Sequence, residues 1–195
     1  MVTRRVLAAV LLLAATVTGT AACSGSPTTV RPSAQATPLY TEVTKPSIGP
    51  SSPVPPPTGP VVLTLSHVDH PNVGTTLQFD LETLDKLGTV KYTAYDRQAE
   101  GRNVSFTGPL LGTLLKVAGV HQAVLHFGAI NDYTVDIPVS DTKYAPMLAT
   151  RADGERMTVA RYGPVRVVYP TTGVHLDPTL YDSRWIWQLT TIDAG

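Results

Sequence analysis

The 195-residue sequence contains a single cysteine, Cys23, so no disulfide can close within one chain, and zinc or iron–sulfur sites built from several cysteines are ruled out with it. Charge is scarce as well. Charged residues make up 15% of the chain, with 15 basic side chains set against 15 acidic ones, and a neutral balance gives no overall attraction for nucleic acid. Neither Gly-x-Ser-x-Gly, nor a Walker A loop, nor a dinucleotide glycine fingerprint occurs, which removes the main support for common hydrolase, NTPase and Rossmann assignments. The longest apolar run, Val6 to Val17, is shorter than the roughly 20 residues a stable membrane-spanning helix needs.

What is present begins with an export signal: Arg4 and Arg5, the apolar run, then Gly19-Thr-Ala-Ala-Cys23. Thr20-Ala-Ala-Cys23 resembles the lipobox of bacterial lipoproteins, which implies a signal peptide over residues 1–22, lipidation of Cys23 and attachment to the extracytoplasmic face of the membrane. Two acyl chains on one residue would satisfy the two-signal requirement for stable anchoring. An ordinary secretory peptide cut near Ala22 is the alternative. Thr3-Arg-Arg-Val-Leu7 also leaves open a twin-arginine route of export.

Residues 24–59 hold nine prolines, six serines and six threonines, with Arg31, Glu42 and Lys45 as their only charges. Such a composition cannot bury enough apolar surface to offset its ordering entropy, so residues 23–59 read as a lipidated, disordered tether. Residues 60–195 carry 11 basic and 14 acidic groups and read as one domain. Strands are expected at Val61 to Leu65, Thr75 to Phe79, Val90 to Tyr95, Val104 to Phe106, Val124 to Phe127, Tyr133 to Val139, Met147 to Thr150, Val165 to Tyr169 and Trp185 to Ile192. Asp80 caps a short helix over Leu81 to Leu87, and Pro109 opens a second one through Ala118 that Gly119 ends. Strands outnumber irregularly placed helices, so the fold class is α+β, a mixed sheet with short helices.

His67 and His70 are the only neighbouring histidines, and a pair beside a turn lacks the third ligand zinc requires, which favours surface-loop histidines and no metal site. Asp132, at the head of a strand, is the type of residue that forms turns. In Gly163-Pro-Val-Arg-Val-Val-Tyr-Pro170 strand alternation sets Arg166 among apolar neighbours. A guanidinium there must snorkel, pair with a carboxylate or meet an anionic ligand. Trp185, Trp187 and Leu189 share a strand face, for which core packing is the default reading.

The ordered set Phe79-Asp-Leu-Glu-Thr-Leu84, Phe106-Thr-Gly-Pro-Leu110, Asp132-Tyr133 with Ile137-Pro138, Asp153-Gly154, Gly163 to Pro170 and Trp185 resembles the molybdopterin-binding domain of the sulfite oxidase family in a short single-domain form. The resemblance implies the sulfite-oxidase-type fold and, in full-length members, a molybdenum cofactor used for oxygen-atom transfer. Catalytic members ligate molybdenum through a cysteine in the region that here reads Lys91-Tyr-Thr-Ala-Tyr-Asp96, which contains no sulfur. Soft-ligand binding of molybdenum by cysteine is therefore not expected. The family's lysine-rich segment before the final Trp is replaced by His175 to Arg184, with Arg184 a partial substitute for the lost charge. By motif position, Tyr95, Asp96, Asp132, Tyr133, Arg166 and Arg184 are expected to line a ligand pocket. Three functions are weighed: a membrane-anchored module that binds a small ligand or an envelope protein with no cofactor, an oxidoreductase holding molybdopterin without a cysteine ligand, or a purely structural envelope protein with no enclosed polar pocket near Arg166 and Tyr133.

Overall fold

The computed structural model describes residues 38–195; the signal-like run, Cys23 and the first part of the expected tether lie outside them. Fifteen regular elements are described: β1 (Thr41–Thr44), β2 (Leu63–Ser66), β3 (Leu77–Phe79), α1 (Leu81–Asp85), β4 (Thr89–Asp96), β5 (Arg102–Gly108), α2 (Leu111–Ala118), β6 (Val124–Ala129), β7 (Thr134–Pro138), β8 (Met147–Ala149), β9 (Arg151–Ala152), β10 (Glu155–Arg156), β11 (Arg166–Val168), α3 (Pro178–Tyr181) and β12 (Leu189–Asp193). They form two five-stranded sheets, ordered β1-β4-β5-β9-β10 and β3-β2-β12-β6-β7, with β8 and β11 paired separately. All pairings are antiparallel except β12 with β2. The α+β expectation holds.

Local chemistry explains the element ends. The Asp80 carboxylate accepts from the Thr83 backbone N–H at 2.7 Å and starts α1, and Gly119 closes α2 in the left-handed conformation at φ 69°. Leu111, Leu114, Leu115 and Ala118 of α2 are buried, as their spacing predicts, while Leu110, expected to be buried with them, is the half-buried N-cap. At Gly108 the backbone of β5 passes so close to the carbonyl of Leu148 that no side chain would fit, which brings β8 against the first sheet.

Two expectations are corrected. Residues 41–44, assigned to a tether, form β1 along the edge of β4, with Thr41 opposite Lys91 and Thr44 opposite Thr89. Ile48 and Val54 are buried in the core, and the N–H groups of Thr58 and Gly59 donate to Asp80 at 2.8 and 2.9 Å. A proline-rich run that cannot fold alone can still order against an existing strand edge and apolar pockets, because the domain supplies both the ladder and the burial. The domain therefore reaches well before Pro60. The last strand is also shorter than expected, starting at Leu189: Gln188 adopts φ 51°, and Trp185 and Ile186 are both buried, so strict alternation fails across residues 185–188.

Candidate functional site

Strand alternation sets the site. Along β4, Val90, Tyr92, Ala94 and Asp96 point inward, while Lys91, Thr93 and Tyr95 point out. Asp96 ends the strand fully buried, and its carboxylate receives both terminal nitrogens of Arg166, at 2.6 Å (Nη1 to Oδ2) and 2.9 Å (Nη2 to Oδ1). This is a bidentate, charge-assisted pair. The guanidinium carbon lies 5.3–5.7 Å from the ring centres of Phe106, Tyr162, Trp185 and Trp187, so aromatic faces replace water around the buried cation. Arg166 Nε and Trp187 Nε1 have no hydrogen-bond partner among the described residues.

A second charged knot lies nearby. Asp141, 3% exposed, accepts from the hydroxyls of Tyr169 (2.8 Å) and Tyr181 (3.3 Å) and from Arg184 Nη1 (2.5 Å). Burial, reinforced by the Asp141 charge, pushes the Tyr169 hydroxyl far above its ordinary value, and the same causes push Tyr181 up to about 12. The Tyr169 and Tyr181 rings meet edge to face at 5.2 Å.

Beside these two knots opens a cleft of about 480 Å³, walled by Tyr95, Asn103, Thr172, His175, Tyr181 and Trp185 among others. A second cleft of about 280 Å³, walled by Asn131, Tyr133, Ile186 and Trp187, shares Gln98, Asp182 and Trp185 with the first. The shared wall is fastened by Gln98 Nε2, which donates to the Asp182 carbonyl at 2.9 Å, and by Arg97, 3.8 Å from the Asp182 carboxylate.

Of the residues expected in one pocket, Tyr95 lines the first cleft and Tyr133 the second, where its hydroxyl donates to the Ser183 carbonyl at 2.9 Å. The others are placed differently. Asp96 and Arg166 pair with each other in the core, where both line a small cavity with Phe106 and Tyr162, because an unpaired buried charge would be far costlier. Arg184, expected to replace a lost charge in part, is paired with Asp141 and lines neither cleft. Asp132 lines neither cleft and adopts φ 62° in the turn between β6 and β7, its backbone N–H on the Ala129 carbonyl at 3.2 Å. Asp141, Tyr181 and Gln98 were missed by the sequence reading, having no motif to mark them. His67 and His70 are exposed, one on Asp193 and the other on the Val117 carbonyl.

The donor set does not fit a thiolate-held molybdenum. Residues 38–195 contain no cysteine, and among the described residues no three of His, Cys, Asp and Glu converge as a metal ion requires.

Two sheets with few short helices and a cleft beside the end of β4 make an α+β domain. The chain belongs to the family described as the oxidoreductase molybdopterin binding domain, whose profile matches residues 67–176. Among solved structures, the sulfane dehydrogenase SoxCD from Paracoccus pantotrophus is similar, with a TM-score of 0.51 and 20% identity over 67% of this chain. That likeness is one of fold, and this chain spans 37% of that chain's length. No curated protein matches the sequence.

Proposed function

We propose that this chain is an exported lipoprotein, held at the extracytoplasmic face of the cell membrane through Cys23, whose sulfite-oxidase-type domain binds a small ligand or an envelope protein and performs no molybdenum redox chemistry. The observation that carries the reading is the fate of the strand that holds the thiolate in catalytic relatives. Here its final side chain, Asp96, is a buried carboxylate clamped by Arg166, and no sulfur stands anywhere along Lys91 to Asp96. In a bidentate core pair of this kind each charge is held by the other, and Arg166 Nε alone is left without an acceptor among the described residues. The adjoining clefts keep the mixture of aromatic walls and a few polar groups that small-molecule sites share.

Family membership favours a second reading, molybdopterin held without cysteine, with Arg97 and His175 of the first cleft as the cationic and imidazole groups nearest to hand. Assays of protein purified from its own host for oxidation of sulfite and reduction of sulfoxides or nitrate separate the two. The proposed reading expects no turnover above a heat-inactivated control. Turnover that co-purifies with the chain supports the second. The anchor is tested separately by intact mass: a diacylglyceryl-modified Cys23 at the amino terminus is expected, and an unmodified terminus refutes it.

A further inference from the structure

The five lysines of the chain are Lys45, Lys86, Lys91, Lys116 and Lys143. They are not spread over the surface. All five line two clefts, and both clefts take part of their wall from the docked amino-terminal segment. One, of about 650 Å³, combines Val43, Thr44, Lys45 and Ser47 with Lys86 and Lys91. The other, of about 510 Å³, combines Tyr40 with Lys116, Lys143, Leu110 and Leu115.

The carboxylates of this region do not cancel the charge. Glu82 pairs with Lys86 at 3.0 Å, and Asp85 is already held by Arg151 and Arg156 at 2.9 and 2.5 Å. Glu42, on β1, is the remaining acid and is exposed. Lys45, Lys91, Lys116 and Lys143 have no carboxylate within 4.0 Å among the described residues. The arginines behave oppositely: of those described, all but Arg161 are in ion pairs. A domain with a negative formal balance has thus gathered its unpaired lysines around the segment by which the chain enters it.

We infer that this lysine-ringed surface docks on anionic phospholipid headgroups and sets the orientation of the domain against the membrane. The inference rests on the lipid-anchor reading above for its setting. The chain outside the described residues ends at the segment that carries Tyr40, and only 15 residues separate Cys23 from Leu39. That length of chain can reach about 55 Å at most, so an anchored domain stays close to the bilayer, and the entry segment is the part held nearest. Lysines within a Debye length of an anionic leaflet each add to binding, and the exposed Tyr40 and Val43 offer apolar contact beside them.

The full chain carrying Cys23→Ser, which cannot be acylated, is mixed with phosphatidylglycerol/phosphatidylcholine vesicles and with pure phosphatidylcholine vesicles, and bound protein is measured by co-sedimentation. Tighter binding to the anionic vesicles is expected, falling about fivefold for each of Lys91→Gln, Lys116→Gln and Lys143→Gln and weakening in 0.5 M salt. These are exposed positions, so far-ultraviolet circular dichroism should be unchanged. Equal affinity for the two vesicle types overturns the inference, as does anionic-vesicle binding that survives the triple replacement. Lysine-dependent retention of soluble polyphosphate with no vesicle preference also overturns it, assigning the surface to a polyanion in solution. Loss of acylation at Cys23 in the intact-mass experiment would refute the anchor and leave the vesicle result standing on its own.

Discussion

Tyr95 and Asp96 are neighbours on β4, and their fates differ completely. Tyr95 faces solvent at 45% exposure and lines the larger cleft; Asp96 has no exposure and is locked to Arg166. The two-residue period of a strand is the whole cause, since it sends adjacent side chains to opposite faces. What looks like one continuous site along the sequence is divided by it into a structural half and an accessible half. The structural half contains Asp96, Arg166, Arg184 and Asp141, and the accessible half contains Tyr95 and Tyr133.

That division is broken most directly at Arg166. Arg166→Ala strands a buried Asp96 carboxylate and should cost about 3–5 kcal/mol of stability in urea denaturation, whereas replacing both partners together with Leu and Met should cost far less. A loss below about 1 kcal/mol for the single variant would move Arg166 into the accessible half. Asp141→Asn removes the charge that holds Arg184 and two tyrosines, with an expected cost of about 2 kcal/mol. The same variant should bring the Tyr181 hydroxyl down from about 12 toward the ordinary tyrosine value, read by ultraviolet titration. In the parent chain the folded state keeps that proton longer than the unfolded state, so stability is complete below pH 10 and declines as pH rises toward 12.

Asp80→Ala should cost about 1–2 kcal/mol, since it removes a helix cap that also fastens Thr58 and Gly59. Burial pushes the Asp80 carboxyl up, but the N–H donors of Thr83, Gly59 and Thr58 outweigh it and hold the group well below its ordinary 3.8. A depressed value in the folded state means the contribution is present above pH 3.8 and is lost as pH falls further, so the variant should show a shallower acid limb in thermal melts. Tyr95→Ala, by contrast, should change stability by no more than about 0.5 kcal/mol, because its ring is solvent-facing and its backbone bond to Thr171 Oγ1 survives.

Much of the fold was legible in the sequence wherever the signal was local. Asp80 and Gly119 punctuate the helices as expected, and the leucine spacing of α2 identifies its buried face. The misses share a cause, which is tertiary contact overriding composition. Thr41 to Thr44 pair because β4 offers an unfilled edge, and residues 185–188 leave the strand pattern because Trp185 and Ile186 both find buried environments. At the site, apolar flanks announced that Arg166 needed a partner, but a carboxylate 70 residues away carries no local mark. Asp141 was silent for the same reason, lying in a 3-10 turn far in sequence from Tyr169 and Arg184. Tyr95 and Tyr133 were named by motif order and not by any property of their own, and they stand at the walls of two different clefts.

The reading proposed above is that this domain, a member of the oxidoreductase molybdopterin binding family, works without molybdenum. The most direct test is the molybdenum content per chain of protein purified from its own host, measured by elemental analysis alongside pterin fluorescence after oxidation. The account predicts a ratio near zero and no pterin signal; a ratio near one, with pterin in equal amount, would contradict it.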